Sequence, residues 1–233
     1  MNVTTQPIPD HAAHAAEPAV NSTTHRSESV PYAVRELGYF PDGTHPGWFT
    51  KREKMGRLLW AIVENSIFRF SPKRADGFRA WLLKSFGATI HGTPMVLRRT
   101  TRIEVPWNIE LGDNVQIGEY AKLYSLGPIR IGAHSIISQH AHICAGTHDY
   151  SDTKFPLRRV PITIGERCWI ATEVYVSPGV TIANGVVVGA RSNVVKDLPA
   201  WKVCVGSPAK PVADRPLLDT ETGQRLDPHG AGS

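Results

Sequence analysis

Six aliphatic residues, Ile164, Ile170, Val176, Ile182, Val188 and Val194, stand six positions apart without a slip. Leu111, Ile117 and Leu123 keep the same step, and after a two-residue slip it resumes at Ile131, Ile137 and Ile143. A small residue follows many of them: Gly112, Gly118, Gly132, Ser138, Ala171, Ser177, Ala183 and Gly189. Four positions on comes a second apolar or small residue, at Val115, Ala121, Cys168, Val174, Val180, Val186, Ser192 and Leu198. A period of six is a multiple of two and matches no α-helix, whereas in extended chain alternate side chains share one side. Positions i and i+4 therefore point inward, and the residues between them face out or turn a corner. A small residue after the inward aliphatic tolerates a tight corner and unusual φ, and Asp113-Asn114 and Asn184-Gly185 are corner residues. Three such hexapeptides close one triangular coil, and each coil buries its aliphatics only against its neighbours. The pattern predicts a mainly β chain wound as a parallel β-helix. An antiparallel sandwich would not hold one phase from Ile164 to Val194.

One large break interrupts the series. From Ile143 to Ile164 the step is 21 residues, which reads as one full coil of 18 plus three. The excess falls in a loop over residues 147–161, and an insertion in a solenoid lies on its outer surface, where function collects. His148 opens this loop and Asp149 follows it. Histidine is the side chain best suited to accept a proton near neutral pH. An oxygen acceptor on one ring nitrogen would leave the other free for a substrate proton, so His148 is the candidate base and Asp149 its candidate partner. The chain has ten histidines, and the default for any one of them is a structural or solvated role. His140, His142 and His148 also lie close enough in sequence to raise a zinc site. Cys144 could be read as a nucleophile, but it occupies a position where the coil needs a small packed residue.

The rest of the chain is less constrained. Residues 1–34 are rich in Ala, Pro, Ser, Thr and His and are expected to be disordered, as is a flexible tail over 213–233. Residues 35–89 form a helical N-terminal region ahead of the β-helix domain at 90–212. Leu58, Leu59, Ile62, Val63, Ile67 and Phe68 fall at helical spacing, Ser71-Pro72 breaks the run, and Phe78, Trp81, Leu82 and Leu83 mark a second helix. Basic residues from Lys51 to Lys84 interleave with both helices. The plain reading is a pair of surface helices docked by their apolar faces. The sharper one is a peripheral membrane contact through Trp60, Phe68, Phe70 and the basic flanks. The formal net charge of +5 is mild and makes no case for nucleic acid. Three cysteines without a CxxC pair fit a reducing compartment. No secretory leader and no 18-residue apolar run are visible, so a cytoplasmic protein is expected, peripheral at the inner membrane face if the helices touch lipid.

At this point the sequence resembles the hexapeptide-repeat acyltransferases. Within them it is similar to the colanic acid biosynthesis acetyltransferase type, with maltose, galactoside and nodulation-factor O-acetyltransferases as wider relatives. The resemblance rests on segments including Ala80-Trp81-Leu82-Leu83-Lys84-Ser85-Phe86-Gly87-Ala88, Ala145-Gly146-Thr147-His148-Asp149-Tyr150, Cys168-Trp169-Ile170-Ala171 and Gly189-Ala190-Arg191-Ser192-Asn193-Val194. It implies a left-handed β-helix, a homotrimer with sites in the clefts between subunits, and O-acetyl transfer from acetyl-CoA to a sugar or exopolysaccharide precursor without a metal. It implies His148 as general base, Trp169 beside the cleft, and acetyl-CoA along Ala171, Thr172, Gly189 and Ala190, with Lys196 and Lys210 near its phosphates. The chain departs from the family at Val195, where relatives often have Thr, and at Ser207, where Asn is usual. An N-acetyltransferase on an amino sugar, a zinc carbonic anhydrase-like enzyme and a non-catalytic trimeric scaffold share the same fold and remain as alternatives.

Overall fold

The computed structural model describes residues 49–94, 96–218 and 225–226. The 1–34 tail and the first part of the 35–89 region lie outside the described residues, as does most of 213–233.

The hexapeptide series closes into a three-sided prism. The first face stacks Thr89–Ile90, Ile109–Leu111, Ile129–Ile131, Ile162–Ile164 and Thr181–Ile182 in parallel. The second stacks Val96–Leu97, Gln116–Ile117, Ile136–Ile137, Trp169–Ile170, Val187–Val188 and Lys202–Gly206. The third stacks Arg102–Ile103, Lys122–Tyr124, His142–Cys144, Tyr175–Val176 and Asn193–Val194. The register is strict, with Ile137, Ile170 and Val188 in one ladder and Ile143, Val176 and Val194 in another. All twelve aliphatics of the repeat series are at most 2% exposed, and the eight i+4 positions are at most 3% exposed, so both inward columns form the core. The antiparallel strand Ala209–Asp214 pairs with Lys202–Gly206 and finishes the second face.

The small residues at i+1 do a different job from the one their type suggests. A Cβ on Gly112 would lie 2.4 Å from the Ala133 nitrogen of the next coil, and one on Gly118 would lie 2.7 Å from the Gln139 nitrogen. They are small because backbone stacks on backbone there. The left-handed φ falls two residues later, on Asn114 (54°), Tyr120 (59°), His134 (59°), His140 (59°), Arg167 (54°), Glu173 (58°) and Arg191 (59°). Most of these side chains are tolerated in that region only at a cost of about 1–2 kcal/mol each, which the stacked hydrogen bonds outweigh.

Strand register also corrects the reading of the 21-residue step. Ile143 lies on the third face and Ile164 on the next face in order, directly above Ile131. No coil intervenes, so the whole excess leaves the prism at one corner rather than three residues of it. It forms an antiparallel hairpin, Gly146–His148 against Leu157–Arg159, with His148 opposite Leu157.

Two helices brace this prism. Helix α1, Lys51–Val63, starts with a capping box in which the Thr50 hydroxyl accepts from the Glu53 amide and Glu53 accepts from the Thr50 amide. A π-helical turn, Glu64–Phe68, leads on, and helix α2 spans Asp76–Ser85. Trp60 donates its indole N–H to the Ile103 carbonyl at 2.6 Å, and its ring meets Phe68 and Phe86 edge-on. Trp60 and Phe68 are therefore buried against the coil and cannot touch a membrane, contrary to the sequence expectation. Buried Arg79 of α2 donates to the Leu97 carbonyl, the Ser71 hydroxyl and the Asp76 carboxylate, which satisfies its charge inside.

Candidate active site

The hairpin positions His148. Its Nδ1 lies 2.6 Å from the Phe155 carbonyl oxygen, which can only accept, so the ring nitrogen donates. In the neutral ring this puts the proton on Nδ1 and makes Nε2 the acceptor, on a side chain that is exposed. Phe155 holds its carbonyl there from a left-handed backbone, φ 46°, with its own N–H bonded to the Asp152 carbonyl at 2.9 Å. A non-glycine residue in that region is strained, and strain of this kind gathers where a turn must aim a group.

Asp149 does not hold the imidazole. Its carboxylate accepts from the Ser151 hydroxyl at 2.5 Å, the Ser151 amide at 3.0 Å and Arg158 Nη2 at 2.7 Å. The Ser151 hydroxyl first, then the Arg158 guanidinium, hold its pKa down to about 2. Asp149 stands just past the end of the strand, where its carboxylate ties the turn to the hairpin's second strand, while His148 is exposed. Arg159 on that strand pairs with Glu53 of α1 at 2.8 Å and lies 4.1 Å over the Phe49 ring, with Arg57 at the same distance from that ring. The Arg159 bond lowers the Glu53 pKa. Helix α1 thus buttresses the histidine hairpin.

At the foot of the hairpin a Cβ on Gly146 would meet Tyr124 and Leu126. Tyr124, His142 and Tyr175 line the outer side of the third face there, His142 meeting Tyr175 edge-on at 5.3 Å. Burial, helped by Lys122, pushes the His142 pKa down, and burial, followed by contact with Cys144, pushes Tyr175 up. Cys144 is buried with its sulfur 3.3 Å from the Gly146 carbonyl, a packing position. His140 stacks on Tyr120 at another edge, so the three histidines near the break stand in three different places. Among the described residues no group of three or more His, Cys, Asp or Glu is arranged to hold a metal ion.

The remaining sequence-derived positions form a second cluster. Trp169 stands on the second face, 47% exposed, its indole N–H on the Ser138 hydroxyl at 3.0 Å. Ala171, Thr172, Gly189 and Ala190 turn the edge between the second and third faces in successive coils, with the Arg191 amide donating to the Thr172 carbonyl at 2.9 Å. The Thr172 hydroxyl donates to the Gln139 carbonyl at 3.0 Å. Lys210 pairs with Val205, which lies directly over Gly189, so this lysine joins the same end of the cluster. A cavity of about 560 Å³ continues along this edge, flanked by Arg98, Tyr120, Ser138, Gln139 and His140. His148 is elsewhere: its hairpin leaves the edge between the third and first faces, and Lys196 follows the third face on that same edge. One chain therefore carries His148 and the small-residue groove on different edges of the prism.

Sequence reasoning missed Phe155, whose backbone oxygen sets the tautomer, and Arg158, which occupies Asp149. A main-chain acceptor leaves no trace in residue type. Asp-Tyr-Ser and the following Asp152, both Asx-turn formers, were the available sign that the loop folds on itself.

No family model matches the chain. It is 49% identical over 163 residues to the protein named as colanic acid biosynthesis acetyltransferase WcaF of Escherichia coli strain K12, covering 70% of this chain and 88% of that protein. It is 29% identical over 181 residues to the galactoside O-acetyltransferase of the same organism, covering 77% of this chain and 76% of the relative. Among solved structures, a galactoside acetyltransferase in complex with coenzyme A superposes with a TM-score of 0.67 at 24% identity, covering 80% of this chain and 92% of that one.

Proposed function

Because the chain belongs to the hexapeptide-repeat acetyltransferases of the colanic acid biosynthesis type, we propose that it moves an acetyl group from acetyl-CoA to a hydroxyl of a sugar or exopolysaccharide precursor, with His148 as general base. The observation that carries this is the 2.6 Å bond from His148 Nδ1 to the Phe155 carbonyl, which in the neutral ring makes Nε2 the acceptor on an exposed side chain. Nε2 takes the acceptor proton as its oxygen attacks, and the imidazolium formed keeps its Nδ1–H on the same carbonyl. The proton then passes to the departing sulfur, so the base is restored and no acyl-enzyme is needed. Acetyl-CoA supplies the activated thioester. Small side chains at Ala171, Gly189 and Ala190 leave room for its pantetheine arm, and exposed Lys210 stands at the end of that groove for phosphate. Backbone N–H groups are the donors offered to the oxyanion. Asp149 serves as a tether of the turn.

The assembly in this proposal is a homotrimer in which one subunit's His148 faces the small-residue edge of its neighbour. The separation of these two features on one prism supports it, since a cyclic contact joins unlike edges. Lys196, on the histidine's edge, would then reach the phosphates across the same boundary. In this proposal the reaction takes place in the cytoplasm, a reading that three cysteines without a disulfide among them support.

The test is release of free thiol from acetyl-CoA across a panel of sugars and amino sugars, run on the wild type and on His148→Ala. The variant is expected to lose about 10²–10⁴-fold in turnover with its circular dichroism unchanged. Acetylation of amines alone would replace the hydroxyl acceptor, and wild-type turnover by the variant would remove His148 from the chemistry.

A further inference from the structure

The helices that brace the prism turn a second apolar stripe outward. On α1, Met55, Leu58, Leu59 and Ile62 follow an i, i+3, i+4, i+7 pattern and are each about half exposed, at 58%, 58%, 49% and 58%. This stripe is distinct from the inward one at Trp60 and Phe68. Past the π-helical turn Phe70 is 79% exposed, and on α2 Phe78 and Trp81 stack at 5.9 Å and are both exposed. Apolar side chains of this size are not left in water along two consecutive helices without an occupant.

Charge identifies the occupant. Residues 51–84 hold nine Lys and Arg against three Asp and Glu, an excess larger than the formal +5 of the whole chain. All three acids are turned inward: Glu53 to Arg159, Glu64 to Arg102 and the Ile103 amide, Asp76 to Arg79 and the Leu97 amide. Lys51, Arg52, Lys54, Lys73, Arg74 and Lys84 remain exposed around the apolar stripes. A second protein would need acids here or a neutral surface. A stripe of Leu, Ile, Met, Phe and Trp ringed only by cations matches the interface of a bilayer with anionic headgroups, where rings and aliphatics enter the acyl boundary and long basic side chains reach the phosphates. No helix among the described residues is long and apolar enough to cross a membrane, so the contact is peripheral.

We propose that the outer face of α1, the π-helical turn and α2 docks this protein on an anionic lipid surface. The His148 hairpin is tied to α1 through Glu53 and Arg159. Docking would therefore hold the catalytic hairpin near the membrane, within reach of an acceptor carried on a lipid.

The experiment is co-sedimentation of the full chain with phosphatidylcholine vesicles and with vesicles that also contain phosphatidylglycerol. The wild type should bind the anionic vesicles far more tightly and lose that preference in high salt. Lys73→Gln with Arg74→Gln should weaken binding about thirty-fold, taking the usual contribution of each basic residue near such a surface. Phe70→Ser with Trp81→Ser should weaken it at unchanged charge. These positions are exposed, so the folded variants should keep their mass by light scattering and their thiol-release activity on a water-soluble acceptor. Equal binding to both vesicles, wild-type binding by both double variants, or a change of mass in the Phe70/Trp81 variant would overturn the proposal, the last by placing the face between copies of this chain. Loss of thiol release in the wild type would instead strike at the acetyltransferase reading and leave the vesicle result standing.

Discussion

Ile170 and Trp169 are neighbours in sequence, and the prism predicts opposite consequences for truncating them. Ile170 is fully buried, laddered between Ile137 and Val188 in the coils on either side. Replacing it by Ala removes three methyl or methylene carbons from a site whose walls are hydrogen-bonded backbone and cannot collapse. Such changes cost about 2–5 kcal/mol. With a urea dependence of roughly 2–3 kcal/mol per molar, the unfolding midpoint should fall by about 1–2 M. Trp169 projects from the same strand to the other side, 47% exposed, with one hydrogen bond to Ser138. Its replacement by Ala should cost no more than about 1 kcal/mol and leave the midpoint nearly in place, while thiol release should fall if Trp169 borders the proposed cleft. Urea titration of both variants, followed by far-ultraviolet circular dichroism, measures the first effect, and thiol release measures the second. If Trp169→Ala proved the more destabilising, the inward and outward assignment of the whole repeat would be wrong.

The turn that aims His148 gives two more tests. Phe155→Pro cannot adopt φ 46° and loses the N–H bonded to Asp152, so turnover should fall about 10²-fold by misplacing the base, whereas Phe155→Gly should keep it. Asp149, with its pKa lowered to about 2, supports the hairpin fully above the ordinary carboxylate value near 3.8 and loses that support as the pH falls through about 2. Carbon-13 detection of its carboxyl should place its titration well below those of exposed aspartates, and the rate profile between pH 5 and 8 should contain no contribution from it. At Gly185, φ 72° and a would-be Cβ 2.2 Å from the Trp201 ring make Gly185→Ala costly by at least about 1–2 kcal/mol, which thermal melting reads directly.

The spacing of Ile164 through Val194 contained the architecture, because a six-residue period buries the same two columns wherever it is read. The hand of the coil came only with the family resemblance. The 21-residue step was open to two arithmetic readings, 18 plus three or six plus fifteen, and only the stacking of Ile164 on Ile131 decides between them. Trp60 and Leu58 have the same helical credentials in the sequence, and which one faces the coil depends on where a backbone carbonyl, that of Ile103, waits for an indole N–H. His148 was visible because it opens the break. Its partner was not, since Ser151 and Arg158 take the Asp149 carboxylate and the group that binds its Nδ1 is a main-chain oxygen seven residues later.

The proposed homotrimer requires that the His148 edge of one chain meet the small-residue groove of its neighbour. Mixing His148→Ala subunits with Ala190→Trp subunits, unfolding and refolding them together, tests it directly. Each homotrimer alone should be inactive, and an equal mixture should recover about a quarter of the wild-type sites, because each site draws one edge from each of two neighbours. A mixture as inactive as its components would contradict the proposed meeting of the two edges across a subunit boundary.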